Sequence, residues 1–190
     1  MAIFRIRTSD SNQRLLETWN MSKVILLPVL YTGKIVGDIN KYVFKDKKVE
    51  KNFINSTVGN RATGKKREEA INSVKEVQLN KDNIKVHLFG SRYIVYLTIG
   101  KNKAMLSSTE NSISVMLDKL KEIPSVSIAV PLFKDGFHDL DIKKVLDIFI
   151  KYNDLYPAYI DLYVHQDDLK SIERVLKKHD IVYDLKTIKE

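Results

Sequence analysis

The sequence predicts a three-layer α/β/α protein in which a mixed β-sheet lies between two layers of helices. Two observations lead to this fold class. The second half of the chain alternates apolar strand-like runs with amphipathic helical segments, which is the pattern of repeated β-α-β units. The first half contains strand-like runs separated by less regular sequence, which predicts a sheet that also contains antiparallel strands. The 190 residues suit a single domain, residues 1–190.

The first elements follow from hydrophobic patterning. Ile3–Arg7 alternates apolar and polar residues and predicts an edge strand, whereas the continuous apolar run Val24–Leu30 predicts a strand covered on both faces. Between them, Asp10–Trp19 is compatible with a short helix. A second helix is predicted over Ile35–Phe44, after a turn at Thr32-Gly33. A strand followed by a glycine-containing loop and a helix is a common phosphate-binding arrangement.

Residues 45–81 form a basic, polar insertion with a predicted surface loop at 56–67 and a possible helix at 68–77. Residues 59–66, GNRATGKK, nearly match a nucleotide-binding P-loop, but Lys66 occupies the place of the hydroxyl that would hold magnesium. We therefore favour contact with a phosphate backbone or a macromolecular partner over nucleotide hydrolysis. The candidate contact residues are all basic: Arg61, Lys65, Lys66 and Arg67.

A β-hairpin is predicted next, because Ile84–Phe89 and Tyr93–Ile99 flank the two-residue turn Gly90-Ser91. Thr109–Lys121 predicts an amphipathic helix, with Ser107–Thr109 as candidate N-caps. The aromatic residues in and before this region could stack on a base, but helical and strand spacing favours a core position for them: Trp19, Tyr93 and Tyr96.

Regular β-α alternation continues to the C-terminus. The predicted elements are strands at Val126–Val130, Tyr159–Val164 and Ile181–Leu185 and helices at Leu140–Tyr152 and Gln166–Lys178. Ligands of such sheets bind beyond the carboxyl ends of the central strands, which places a site in the loops after Leu30, Ile99 and Pro131. In the last loop, His138, Asp139 and Asp141 could form an acid–base cluster, or Asp139 or Asp141 could cap the following helix.

Composition excludes several classes of protein. The chain has no cysteine, and its four histidines show no metal-ligand spacing, so we expect neither a thiol nucleophile nor a metal cofactor. No apolar run is long enough for a membrane span, and the first residues lack a signal-peptide core. We therefore expect a cytoplasmic protein, in the host cytoplasm if the source is viral. The net charge of +8 favours a phosphate-bearing partner, with nucleic acid as the less favoured one.

The stretch Ser127–Val145, SIAVPLFKDGFHDLDIKKV, resembles the macrodomain pattern S-I-A-x-P-x-I-G-x-G-L-x-x-L-x-W-x-x-V. Pro131, Gly136, Leu140 and Val145 fall in register without a gap. Upstream, RYIVYL at 92–97, Lys101 and Glu110-Asn111 look like the corresponding strand, loop and helix start of the branch related to terminal ADP-ribose protein glycohydrolase. The resemblance implies a macrodomain that binds ADP-ribose and needs no cofactor.

Site residues follow from the same resemblance. It implies ligand contacts at Asp10, Gly33, Lys34, Lys134, Asp135, Gly136 and Phe137. In the glycohydrolase-like branch a lysine after the hairpin strand attacks the ribose and an acid in the second loop assists. The register places Gly100 and His138 at these positions, with Lys101 and Asp139 adjacent. Either Lys101 and Asp139 form a working pair, with His138 nearby, or catalysis has been lost; we favour its loss.

Two functional hypotheses remain from the sequence. In the first, the chain binds ADP-ribose or a related phosphate-bearing ligand and could remove ADP-ribose from protein or nucleic acid. In the second, an inactive macrodomain serves as a protein- or nucleic-acid-binding inhibitor, for example a phage counter-defence factor against an ADP-ribosylating toxin. Lysine at 134, where the family pattern has glycine, favours altered ligand binding in both.

Overall fold

The structure is a computed structural model that describes residues 2–30, 84–89, 92–122, 127–133, 136–137 and 139–189. Its strands are β1 Ile3–Ser9, β2 Val24–Val29, β3 Ile84–Phe89, β4 Arg92–Thr98, β5 Ser127–Pro131, β6 Tyr159–His165 and β7 Tyr183–Thr187. Its α-helices are α1 Asn12–Asn20, α2 Leu106–Leu120, α3 Ile142–Lys151 and α4 Leu169–Lys178, with 3-10 turns at Asn153–Leu155 and Gln166–Asp168. The helix predicted over 35–44, the segments within 45–81 and the turn at 90–91 lie outside the described residues.

The strands form one mixed sheet in the order β3-β4-β2-β5-β6-β1-β7. The pairs are parallel except for the hairpin β3–β4, which is antiparallel. The mixed sheet confirms the predicted α/β fold class. It also places β4, β2 and β5 side by side, so the loops that follow them leave the same edge of the sheet.

Helices cover both faces of the sheet. One face packs against α2, α3 and α4 through a large apolar cluster that includes Leu26, Val130 and Phe149. The other packs against α1 through a smaller cluster around Leu16 and Trp19. We call these the three-helix face and the α1 face. Side chains of β5 and β2 are buried on both faces, which explains their continuous apolar sequence.

Strand β1 corrects one prediction. The alternation in Ile3–Arg7 predicted an edge strand, but β1 lies inside the sheet between β6 and β7. Its polar residues are tolerated there because Asp161 on β6 accepts two hydrogen bonds from the Arg5 guanidinium, at 2.6 and 2.7 Å. An ion pair between distant segments therefore allows a charged residue on an internal strand.

The N-cap predicted for α2 was also wrong. The helix begins at Leu106, with Met105 as an N-cap that makes no side-chain bond, so Ser107–Thr109 lie within the first turn. Thr109 Oγ1 instead donates to Met105 O at 2.7 Å, one turn back along the helix. The alternative that Asp141 caps the next helix is confirmed, because its carboxylate accepts from Lys143 N at 2.9 Å.

A candidate ligand-binding edge of the sheet

The carboxyl ends of three adjacent parallel strands define the candidate site. Thr98 on β4 pairs in register with Val29 on β2, and Ala129 on β5 pairs with Ile25. The chain therefore leaves the three strands at the same edge, as the sequence predicted. Open α/β sheets bind their ligands beyond such an edge.

The loop after β5 is attached to both faces of the sheet. Phe133 is buried in the cluster of the α1 face, whereas Phe137 is buried in the cluster of the three-helix face. Four residues apart, the two rings hold the loop across the carboxyl end of β5. Phe133 and Phe137 are consequently held by core packing on opposite faces of the sheet, and such preorganisation favours ligand binding.

Gly136 lies where this loop passes closest to its own strand. Its N–H donates to Phe133 O at 2.8 Å. A Cβ atom at this position would lie 1.9 Å from Pro131 O, so no side chain fits without moving the backbone. Glycine is needed here for close approach of two backbone segments. This is a physical reason for the residue that falls in register with the family pattern.

The predicted ligand role of Phe137 concerns a side chain that is fully buried. Its ring belongs to the apolar cluster of the three-helix face, so a ligand at this edge can meet only its backbone. Two of its neighbours in the predicted site, Lys134 and Asp135, and the candidate catalytic residue His138 lie outside the described residues.

The loop after β4 carries the candidate nucleophile. Lys101 is exposed, as are the next two residues, Asn102 and Lys103. The loop closes through Met105 N, which donates to Ile99 O at 2.7 Å, and a Cβ at Gly100 would lie 1.7 Å from Lys103 O. Lys101 is therefore presented to solvent by a tight loop, and Asp139 in the β5 loop is exposed as well.

Asp10 follows β1 at the same edge of the sheet, and its carboxylate is exposed. Its carbonyl oxygen lies 3.0 Å from Nε2 of His165, a contact that the sequence reasoning missed. Because Asp167 N–H donates to Nδ1 of this histidine, the ring proton resides on Nε2 and is donated to Asp10 O. The bond joins the ends of β1 and β6, and only the pairing of those strands reveals it.

The candidate residues are spread along the edge. Between β4, which precedes Lys101, and β1, which precedes Asp10, lie β2, β5 and β6. At about 4.8 Å per strand step the two ends of the site are about 19 Å apart. That span suits an elongated ligand with chemically different ends. The remaining predicted contacts, Gly33 and Lys34, and the basic residues of 61–67 lie outside the described residues.

The aromatic residues near this edge belong to the core, as predicted. Trp19 and Tyr96 are fully buried on the α1 face, and Trp19 Nε1 donates to Ala129 O at 3.1 Å. Burial raises the pKa of Tyr96 far above its ordinary value, which keeps the phenol neutral. These rings support the strands that carry the loops and are not available to stack on a base.

Within the parts of the chain that the structure describes, no group of histidine and carboxylate side chains could hold a metal ion. In the same parts, no helix has the length and apolar character needed to cross a bilayer.

The order of the strands and the helix layers on both faces define the class of protein. It is an α/β protein in which the loops after β4, β2 and β5 leave the same edge of the sheet. Comparison with solved structures then gives the particular fold. The structure is similar to the DarG macrodomain of Mycobacterium tuberculosis, with a TM-score of 0.52 and 14% identity over 83% of this chain and 96% of that one. The DarG macrodomain of Thermus aquaticus has a TM-score of 0.50 and 17% identity over 86% and 99% of the two chains.

A third similar structure is the macrodomain of ganglioside-induced differentiation-associated protein 2, with a TM-score of 0.54 and 12% identity over 92% of this chain and 83% of that one. No protein-family model and no curated protein sequence matches the chain. The chain therefore has the macrodomain fold at a sequence divergence that ordinary sequence comparison does not bridge. The fold predicted from Ser127–Val145 is confirmed.

Proposed function

We propose that this chain binds ADP-ribose or a related phosphate-bearing nucleotide in the loops at the carboxyl edge of its sheet. The observation that carries the proposal is the β5 loop. Phe133 and Phe137 attach the loop to opposite faces of the sheet. Gly136 has no side chain, which lets the loop backbone lie close to Pro131. Gly136 N–H is engaged by Phe133 O, so we assign the diphosphate to other backbone N–H groups of this loop.

The length of the edge supports a dinucleotide-like ligand over inorganic phosphate. The strands that precede the candidate contacts at the two ends, β1 before Asp10 and β4 before Lys101, are about 19 Å apart by strand spacing. A carboxylate at one end and an ammonium group at the other could orient a ligand whose two ends differ.

We propose further that the site does not catalyse release of ADP-ribose at a substantial rate. A lysine nucleophile needs burial or a close cation to be uncharged near neutral pH. Lys101 lies in an exposed loop, and Asp139 is exposed too. Exposure of both candidates supports a binding role over glycosidic cleavage.

Isothermal titration calorimetry with ADP-ribose tests the binding proposal directly, with ADP and ribose 5-phosphate as partial ligands. We expect ADP-ribose to bind more tightly than either fragment because only the whole molecule spans the edge. Heat changes that stay at the dilution level with millimolar ADP-ribose would disprove the proposal. Catalysis is tested separately, by measuring release of ADP-ribose from a modified protein or nucleic acid. Release that is lost in Lys101→Ala would establish the enzyme that we argue against.

The net charge of +8 favours a second candidate, an inhibitor that binds protein or nucleic acid, such as a counter-defence factor directed against an ADP-ribosylating toxin. Four basic residues of the predicted surface loop would contribute to it: Arg61, Lys65, Lys66 and Arg67. Capture of a defined partner in a way that weakens steeply with salt, while ADP-ribose does not bind, would favour this candidate.

A further inference from the structure

Strand β7 forms one end of the sheet and, within the described residues, pairs only with β1. Ile188 N–H donates to Thr8 O at 2.8 Å, so the hydrogen bonds to β1 use the even-numbered residues of this segment. The N–H and C=O of a strand residue point to the same side, and the side alternates along the strand. The backbone groups of the intervening residues therefore point away from β1: Tyr183, Leu185 and Thr187.

Apolar side chains are exposed along this edge. Leu185 is 44% exposed on the three-helix face, and Val182, just before the strand, is 89% exposed on the α1 face. Asp184 and Lys186 are exposed on the α1 face. An edge with outward-pointing backbone groups and exposed apolar residues is a template for another strand.

When two copies of this edge are aligned antiparallel, residues of opposite charge face each other and apolar residues face apolar residues. We infer that two copies of this chain pair through β7 in an antiparallel arrangement, with a twofold axis at Leu185, and extend the sheet across both molecules. In this register Leu185 faces its own copy, and Asp184 faces Lys186 of the second copy. Val182 faces Ile188 of the second copy in the same way.

Backbone geometry favours this register. Leu185 has outward N–H and C=O groups, so it forms a hydrogen-bonded pair with its copy and exchanges two bonds with it. Asp184 and Lys186 then occupy the non-hydrogen-bonded positions, where side chains on opposite strands approach most closely. The two opposite charges meet twice, once on each side of the axis, because a twofold interface is self-complementary.

Charges inside one molecule give a further reason for the pairing. The register neighbour of Lys186 on β1 is Arg7, another cation, whose Nη1 lies 3.8 Å from the Asp184 carboxylate. The neighbour of Lys186 within its own molecule is thus a cation. Asp184 of a second copy would bring a carboxylate to Lys186 instead. A charged edge can also keep strands apart, but only when like charges meet, and this register brings unlike charges together.

The predicted dimer leaves the candidate ligand sites free. The twofold axis runs perpendicular to the sheet, so the three-helix faces of both copies lie on one side. Because the strands of the two copies run in opposite directions, their carboxyl edges point away from each other. Dimer formation therefore does not depend on ADP-ribose binding, and either proposal can fail alone.

Sedimentation equilibrium over a range of concentrations tests the inference. We expect the average mass to rise from 22.0 kDa toward twice that value as concentration increases. Lys186→Asp places two acids opposite each other and should weaken the dimer by about tenfold or more. The double variant Asp184→Lys with Lys186→Asp restores unlike pairs and should recover much of the association. Lys143→Asp makes the same change of charge at an exposed position of α3 and should leave the association unchanged.

A proline tests the backbone pairing. Leu185→Pro removes an N–H that points away from β1, so the ladder within the molecule remains but the edge is blocked. We expect this variant to be folded by circular dichroism and monomeric by sedimentation equilibrium. A wild-type chain that stays monomeric up to about 1 mM would overturn the inference. A dimer that persists at full strength in Lys186→Asp would overturn it as well, because the interface would then lie elsewhere.

Discussion

Gly136→Ala tests whether the β5 loop is the ligand site. The added Cβ would lie 1.9 Å from Pro131 O, whereas contacts of this kind shorter than 3.0 Å are essentially never seen. The loop must therefore shift by about 1 Å. Overpacking of this kind costs about 1–3 kcal/mol, which for a chain of this size lowers Tm by about 2–12 °C.

A shift of this size should also affect binding. Hydrogen bonds to a charged phosphate contribute about 1.5–3 kcal/mol each, so misplacing one N–H should weaken ADP-ribose binding by about tenfold or more. Thermal unfolding and calorimetry with ADP-ribose measure the two effects.

A matched control separates loss of the site from loss of stability. Leu176 is buried near the C-terminus of α4, away from the carboxyl ends of the strands. Leu176→Ala should lower the free energy of unfolding by about 2–5 kcal/mol. We expect this variant to lower Tm at least as much as Gly136→Ala while keeping the wild-type affinity at temperatures where it is folded. A wild-type Tm for Gly136→Ala would refute the close approach, and an unchanged affinity would refute the role of the loop.

Three further predictions concern stability, pH and charge. Asp161→Asn breaks the bidentate pair with Arg5 and should lower the free energy of unfolding by about 3 kcal/mol; chemical denaturation that shows no loss would contradict this. A hydrogen bond to Glu173 raises the pKa of Tyr183 to about 12. Its stabilisation is therefore complete below pH about 10 and is lost as pH rises toward 12. Glu173→Gln should return the tyrosine titration, followed by carbon-13 NMR, toward 10, and an unmoved midpoint would exclude the bond. Replacing four loop bases by alanine should leave ADP-ribose affinity unchanged and reduce the salt slope of any nucleic-acid binding: Arg61, Lys65, Lys66 and Arg67.

Within Ser127–Val145, the match to the family pattern differs between core positions and loop positions. In Ser127–Val145 the strand and the turn-forming glycine match the family pattern, and the structure gives each a packing reason. Lys134 and His138 depart from that pattern. Packing in the core constrains the first group, whereas the second group lies outside the described residues. A fold can therefore persist while the ligand or the chemistry changes.

The sequence by itself determined the elements whose pattern is local. The apolar run at Val24–Leu30 and the hairpin pattern at 84–99 were sufficient because strand periodicity and burial are encoded in adjacent residues. The order of strands, repeated β-α-β units and one family-like stretch were also enough to predict the macrodomain fold and the edge at which the loops after β4, β2 and β5 lie.

Tertiary structure alone decided the features that depend on distant partners. The alternation that includes Arg5 predicted an edge strand. The strand is internal, because Asp161, 156 residues away, pairs with the Arg5 guanidinium. Phe137 was predicted to contact a ligand; its ring is buried in the cluster of the three-helix face, so the predicted contact would involve its backbone. The edge strand is β7 and not β1, and the exposed residues of β7 form the predicted dimer surface. Each outcome depends on which segments meet across the sheet. The free energy of those contacts comes from residues far apart in the chain, so no single stretch of sequence reveals it.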